Sequence, residues 1–225
     1  MRKNHYIIVL DVEGMSNAKP YNIGYIIGDR KGTIIQQRSY ALPNNFWENL
    51  QNCLPAREMT HKNLQEILAD FGAGDERKYN YISNCDFIEQ FNKDIEEYKI
   101  SQVWAYNCIF DNGAIRRLYD LIPLPEVDWC DIWSAIAASC LYNKKYVKWC
   151  LKNNFVTDKG NIKSSAEVVY AYLTNNVAFC EEHTALADVW IEYEILLKVF
   201  KSKKKLEKKQ KKAIWKTLGE IRDNI

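Results

Sequence analysis

The chain has 225 residues, 47% of them hydrophobic and 27% charged, and a net charge of +2, so it can bury a sizeable core as one unit. Its seven cysteines form no CxxC pair and no zinc-ligand spacing, and those in apolar settings (Cys108, Cys130, Cys140, Cys150) read as reduced, packed thiols of a cytoplasmic protein. The apolar run after Met1-Arg2-Lys3-Asn4-His5 is too short for a signal-peptide core or a membrane span, so a soluble chain with no membrane partner is expected.

The run Tyr6-Ile7-Ile8-Val9-Leu10-Asp11-Val12-Glu13-Gly14 is β-branched, of strand length, and ends in two acids one residue apart. Period-two geometry points Asp11 and Glu13 to the same side of the strand. Two further strands are predicted over 21–28 and 33–42, split by the turn Asp29-Arg30-Lys31-Gly32, which makes a three-strand meander. The stretch 46–98 has a largely helical pattern with a loop at Gly72-Ala73-Gly74-Asp75. Strands follow at 102–106 and near 127–129, alternating with helices, and this order predicts an α/β mixed sheet. No internal repeat and no Gly-rich phosphate loop interrupts the pattern.

Asp111 falls near the junction of the strand at 102–106 and a helix with apolar spacing at Ala114, Ile115, Leu118 and Leu121. There an Asp serves as a helix N-cap, Asn107 closes a turn and Phe110 packs in the core; a site role for each is the alternative. The segment Lys144-Lys145-Tyr146-Val147-Lys148-Trp149 interleaves cations with aromatics as single-strand binders do, although a helix with lysines turned to water gives the same pattern. His183 stands five positions before Asp188 at the start of a helix over 189–200, which sets an imidazole able to accept a proton near neutral pH beside a carboxylate. The other histidines, His5 and His61, have no comparable setting.

Residues 201–212 hold eight lysines and one glutamate, a net of +7 that leaves −5 for the rest of the chain. Such a run is a solvated helix extension or an electrostatic arm for a phosphate backbone. Past it, Ile214, Leu218, Ile221 and Ile225 recur at helical spacing, a stripe for docking on the same chain, on a partner or on a second copy in a homodimer. We therefore divide the chain into a domain over 1–200 and a basic amphipathic C-terminal helix or tail over 201–225.

Asp11-x-Glu13, Asn107-x-x-Phe110-Asp111, and His183 with four residues before Asp188 occur in this order, and together they resemble the DEDDh family of 3′-to-5′ exonucleases. That family includes oligoribonuclease, RNase T and bacterial polymerase proofreading subunits. Trp129-Cys130-Asp131-Ile132-Trp133 is similar to the short strand and helix-opening Asp of these enzymes, and the stretch 159–167 is similar to a family connection, with Ser164 and Glu167 at capping-box spacing. The resemblance covers roughly residues 5–200; Gly14 stands where many relatives carry Thr or Ser, and 43–100 matches nothing in the family pattern.

The resemblance implies an RNase H-like mixed sheet flanked by helices. It also implies two Mg2+ or Mn2+ ions held by Asp11, Glu13, Asp111 and Asp188, with His183 as general base. Gly14, Asn107, Phe110, Lys144 and Lys145 are the expected contacts to substrate. The expected activity is 3′-to-5′ hydrolysis of single-stranded nucleic acid, DNA slightly ahead of RNA, to nucleoside 5′-monophosphates. A short-RNA enzyme of oligoribonuclease type and a non-catalytic nucleic-acid-binding or partner-binding module on the same fold are the alternatives.

Overall fold

The computed structural model describes residues 5–14, 18–53, 80–120, 122–202, 206–209 and 213–225, with the backbone alone for 49–53. Among the described residues, six strands form one sheet: β1 (Tyr6–Glu13), β2 (Asn22–Asp29), β3 (Ile34–Ala41), β4 (Asn80–Tyr81), β5 (Gln102–Ala105) and β6 (Asp128–Asp131), in the order β4-β3-β2-β1-β5-β6. The first three are an antiparallel meander, while β5 runs parallel to β1 and β6 parallel to β5. With the two-residue edge strand β4 set aside, this is the mixed sheet of an RNase H-like α/β fold.

Among the described residues the helices are α1 (Pro43–Cys53), α2 (Asn84–Glu97), α3 (Ile109–Tyr119), α4 (Ile132–Ile136) continuing into a π-helical turn (Ala137–Leu141), α5 (Lys144–Lys152), α6 (Ala166–Thr174), α7 (Ala185–Lys201) and α8 (Ile214–Asp223). Among the described residues, no helix is long and apolar enough to cross a membrane. The loop expected at Gly72-Ala73-Gly74-Asp75 and the histidine His61 lie outside the described residues.

Strand alternation sorts the core into two layers. Ile7 and Val9 of β1 pack on the face covered by α4 to α8, whereas Ile8, Leu10 and Val12 pack on the face covered by α2 and α3. Each of these residues is nearly inaccessible to water, and such burial contributes about 1.5–3 kcal/mol per large aliphatic side chain. Since odd-numbered positions of β1 face α7, Asp11 and Glu13 are turned toward that helix by the same alternation that builds the core.

Some local expectations need correction. Asp111 does not cap α3: the N-cap position belongs to Cys108, and Asp111 is the third residue of the helix. The Ser164 and Glu167 capping box does not form either, because α6 starts a residue late with Ser165 at its cap, and the Ser164 hydroxyl instead accepts a hydrogen bond from Trp133 Nε1 at 3.1 Å. Asp131 does open a helix, its carboxylate accepting from Ser134 N at 2.7 Å.

α7 ends at Lys201, within the lysine-rich run, of which 203–205 and 210–212 lie outside the described residues; residues 206–208 are irregular, and Lys208 O accepts from Asp131 N at 2.8 Å beside the edge strand β6. Beyond it, Ile214 and Leu218 of α8 are fully buried in the core layer that contains α7, while Ile225 is exposed.

Candidate active site

β1 pairs with β2 along its whole length but with β5 only at Ile8 and Val9. Because β5 ends at Ala105, the last residues of β1 run past their parallel neighbour into a crevice at the carboxyl ends of the central strands, where α/β sheets place their ligands. Asp11 and Glu13 stand on this overhang.

Asp188 reaches the same crevice from the first turn of α7. Two residues of β2 make that approach possible. Gly24, which pairs with Asp11, lies so close under the helix that a Cβ there would collide with the backbone of Ala185 and Leu186. Asn22, which pairs with Glu13, accepts from Ala185 N at 2.9 Å through Oδ1 and donates to Tyr40 O at 2.8 Å. The helix entrance is thus fastened to the sheet beside the two acids, with Thr184 capping it by accepting from Ala187 N.

The result is a convergence of acids. One carboxylate oxygen from each of Asp11, Glu13 and Asp188 lies within 4.8 Å of the others, and a second group at the same spacing joins Glu181, His183 and Asp188. Asp111 lies outside both groups. It belongs to α3, which packs on the other face of the sheet, and comes round the end of β5 with only 1% of its surface exposed.

Asp11 Oδ2, Asp111 Oδ1, Glu181 Oε1 and Asp188 Oδ1 are buried without a hydrogen-bond partner. Native interiors rarely leave such atoms unpaired, since each costs about 1–3 kcal/mol or more when charged. Burial above all, with repulsion among the acids adding to it, drives their pKa values up: Glu13 and Glu181 to about 8, Asp188 to about 6, and Asp11 and Asp111 well above the usual carboxylate range, although backbone hydrogen bonds partly offset the rise at Asp111. His183 opposes the rise at Asp188. Orphaned oxygens from several carboxylates, with no nitrogen or sulfur donor in the inner group, fit hard divalent cations such as Mg2+ or Mn2+.

His183 is an exposed residue held at φ +56° just before the cap of α7, a left-handed backbone that a non-glycine residue adopts at some cost. Asn107 is likewise left-handed, at φ +63°, and its carbonyl accepts from Phe110 N at 3.0 Å to form the turn into α3. Phe110 packs partly buried against the α2 and α3 layer. Gly14 directly follows the overhang of β1. Lys144 and Lys145 open α5, and Lys144 Nζ is engaged with the end of α8, donating to Asn224 O at 3.1 Å.

Sequence reasoning missed four residues that the fold brings beside these acids. Glu181 lies two positions before His183 and reads as one of two adjacent acids. Glu192, 3% exposed, interrupts the apolar face of α7 one turn after Asp188; a charged residue in the buried stripe between Val189 and Leu196 is the signal that marks it. The Asn22 and Gly24 clamp has no local signature.

No family model and no curated protein matches the chain. A search of solved structures finds similarity to a chain described as Exonuclease X in complex with 5′ overhanging duplex DNA, with a TM-score of 0.48 and 13% sequence identity over 96% of this chain and 99% of that one.

Proposed function

We propose that the protein is a metal-dependent 3′-to-5′ exonuclease that hydrolyses single-stranded nucleic acid to nucleoside 5′-monophosphates, with DNA slightly preferred to RNA. The observation that carries this reading is the convergence of Asp11, Glu13 and Asp188 on one point, with buried oxygens that have no partner within the protein. The three motifs that supply these residues are in the order the DEDDh resemblance requires.

Asp11, Glu13, Asp111 and Asp188 would hold two ions of Mg2+ or Mn2+. When bound, such ions supply Lewis acidity to the scissile phosphate and lower the pKa of water. His183, exposed at the mouth of the crevice and beside Asp188, takes the proton of the attacking water, and Asp188 steadies the imidazolium that results. Asn107 and Phe110, at the turn into α3, and Gly14, after β1, would contact a terminal nucleotide. Lys144 and Lys145, which open α5, would contact the phosphate backbone.

The test is digestion of 5′-labelled single-stranded DNA and RNA of several lengths with Mg2+, with Mn2+ or with EDTA. Stepwise shortening from the 3′ end that requires metal is the expected outcome. A preference for very short RNA would move the assignment to an oligoribonuclease-like enzyme, and binding without cleavage of any substrate would overturn it in favour of a non-catalytic module.

A further inference from the structure

The proposed site uses four carboxylates, yet a fifth is buried against it. Glu192 lies four residues after Asp188 on the same face of α7 and is only 3% exposed. Its Oε2 accepts from Tyr106 N at 3.2 Å, at the residue that follows β5. β1 and β5 are in register at Val9 and Trp104, and continuing that register by two residues sets Tyr106 level with Asp11. The Glu192 carboxylate is therefore held at the depth of Asp11, at the start of the turn that leads to Asp111. Among the described residues, none forms a salt bridge with it.

A purely structural acceptor for one backbone amide does not need a charge. A Gln would serve, and a buried carboxylate facing other carboxylates is the costlier choice. Burial, then Asp111, raises the pKa of Glu192, and Glu192 is the strongest repelling neighbour of Asp11. The same turn is gripped a second time where Asp131 Oδ1 accepts from Cys108 N at 3.0 Å, so Glu192 is not needed simply to fix the backbone there.

We propose that Glu192 is a fifth carboxylate of the cation site, a positioning residue whose negative charge strengthens divalent metal binding at Asp11 and Asp111 while its hydrogen bond ties α7 to the Asp111 turn. The inference rests on the reading that divalent ions bind in this crevice. It adds to that reading a buried charge outside the three motifs.

The deciding experiment is a calorimetric titration of Mn2+ alone, without nucleic acid, into the chelator-stripped full chain, its Glu192→Gln variant and an Asp188→Asn variant. Glu192→Gln keeps an acceptor for Tyr106 N and removes the charge. It should remain folded, melt no lower than the unmodified protein without metal, and bind Mn2+ at least about 10-fold more weakly, as supporting residues around metal ligands do. A smaller change in Mn2+ affinity would overturn the proposal and leave Glu192 as a backbone acceptor. So would a metal-free Gln variant that fails to fold, because the carboxylate would then be serving the fold. If the unmodified protein and Asp188→Asn alike bind no Mn2+, the metal-site reading fails and this proposal with it. Tight binding by the unmodified protein, lost in Asp188→Asn and kept in Glu192→Gln, would refute the Glu192 role alone.

Discussion

The two faces of one sheet keep buried acids in opposite ways. On the α2 face, Asp94 is 1% exposed and fully engaged: it accepts from Tyr25 OH at 2.7 Å, from Gln90 Nε2 at 2.8 Å, and from Arg38 Nε and Nη2 at 3.2 Å each. At the crevice, Asp111 is equally buried, yet one of its oxygens has no partner, and the acids around it repel one another. A carboxylate buried for stability carries its cation with it, whereas a cluster of buried acids without such a partner has the donor set of a cation site.

Asp11→Asn against Asp94→Asn puts that distinction under the greatest strain. Asp11→Asn should abolish detectable metal-dependent cleavage while the metal-free protein melts no lower than before, since one of several repelling charges is gone. Asp94→Asn should cost about 3 kcal/mol in denaturant unfolding, because it leaves Arg38 facing a neutral side chain in a mostly buried setting, and should leave cleavage unchanged at temperatures where the variant is folded. If both variants lost stability alike, the acids of the crevice would be structural.

His183→Ala sharpens the comparison within the crevice. It should slow cleavage by about two to four orders of magnitude, the range for a lost general base, while Mn2+ binding persists because Asp11, Glu13 and Asp188 remain. Loss of Mn2+ binding in this variant would reassign His183 as a ligand, together with Glu181.

The remaining contrast is in stability against pH. The Glu13 and Glu181 carboxyls titrate near 4.5 in the unfolded chain and near 8 in the folded one. Between those values the folded protein holds protons that the unfolded chain has released, so the metal-free protein should lose stability as pH rises from about 4.5 to about 8. Thermal melts across this window, with chelator and with Mn2+, read the slope. Mn2+ should flatten it by taking the place of the protons, and a melting temperature that climbs with pH in chelator would contradict the raised values.

Much of this arrangement was legible as local pattern. The strand over Tyr6–Glu13 follows from β-branched residues, and its period of two turned Asp11 and Glu13 to one side before any fold was considered. The meander followed from its turn at Asp29 to Gly32, whereas the helix expected over 189–200 starts four residues earlier, at Ala185, where Thr184 caps it. Expectations went astray where the choice was between neighbouring residues, as with Asp111 at the helix cap or Ser164 in a capping box. There, competing partners such as Trp133 Nε1 lie far away in the sequence.

The sequence by itself determined which residues could ligate a metal, on which side of their strand or helix they stand, and in what order they occur, because periodicity and capping are local properties of the chain. Tertiary structure alone decided that β5 stops short and opens the crevice, that Gly24 and Asn22 seat α7 beside Asp11, that Asp111 arrives from the opposite face, and that Glu192 is buried against the Tyr106 amide. Those facts depend on contacts between residues as far as 163 positions apart, and on the burial of charges whose cost exists only once the two layers have closed over the sheet.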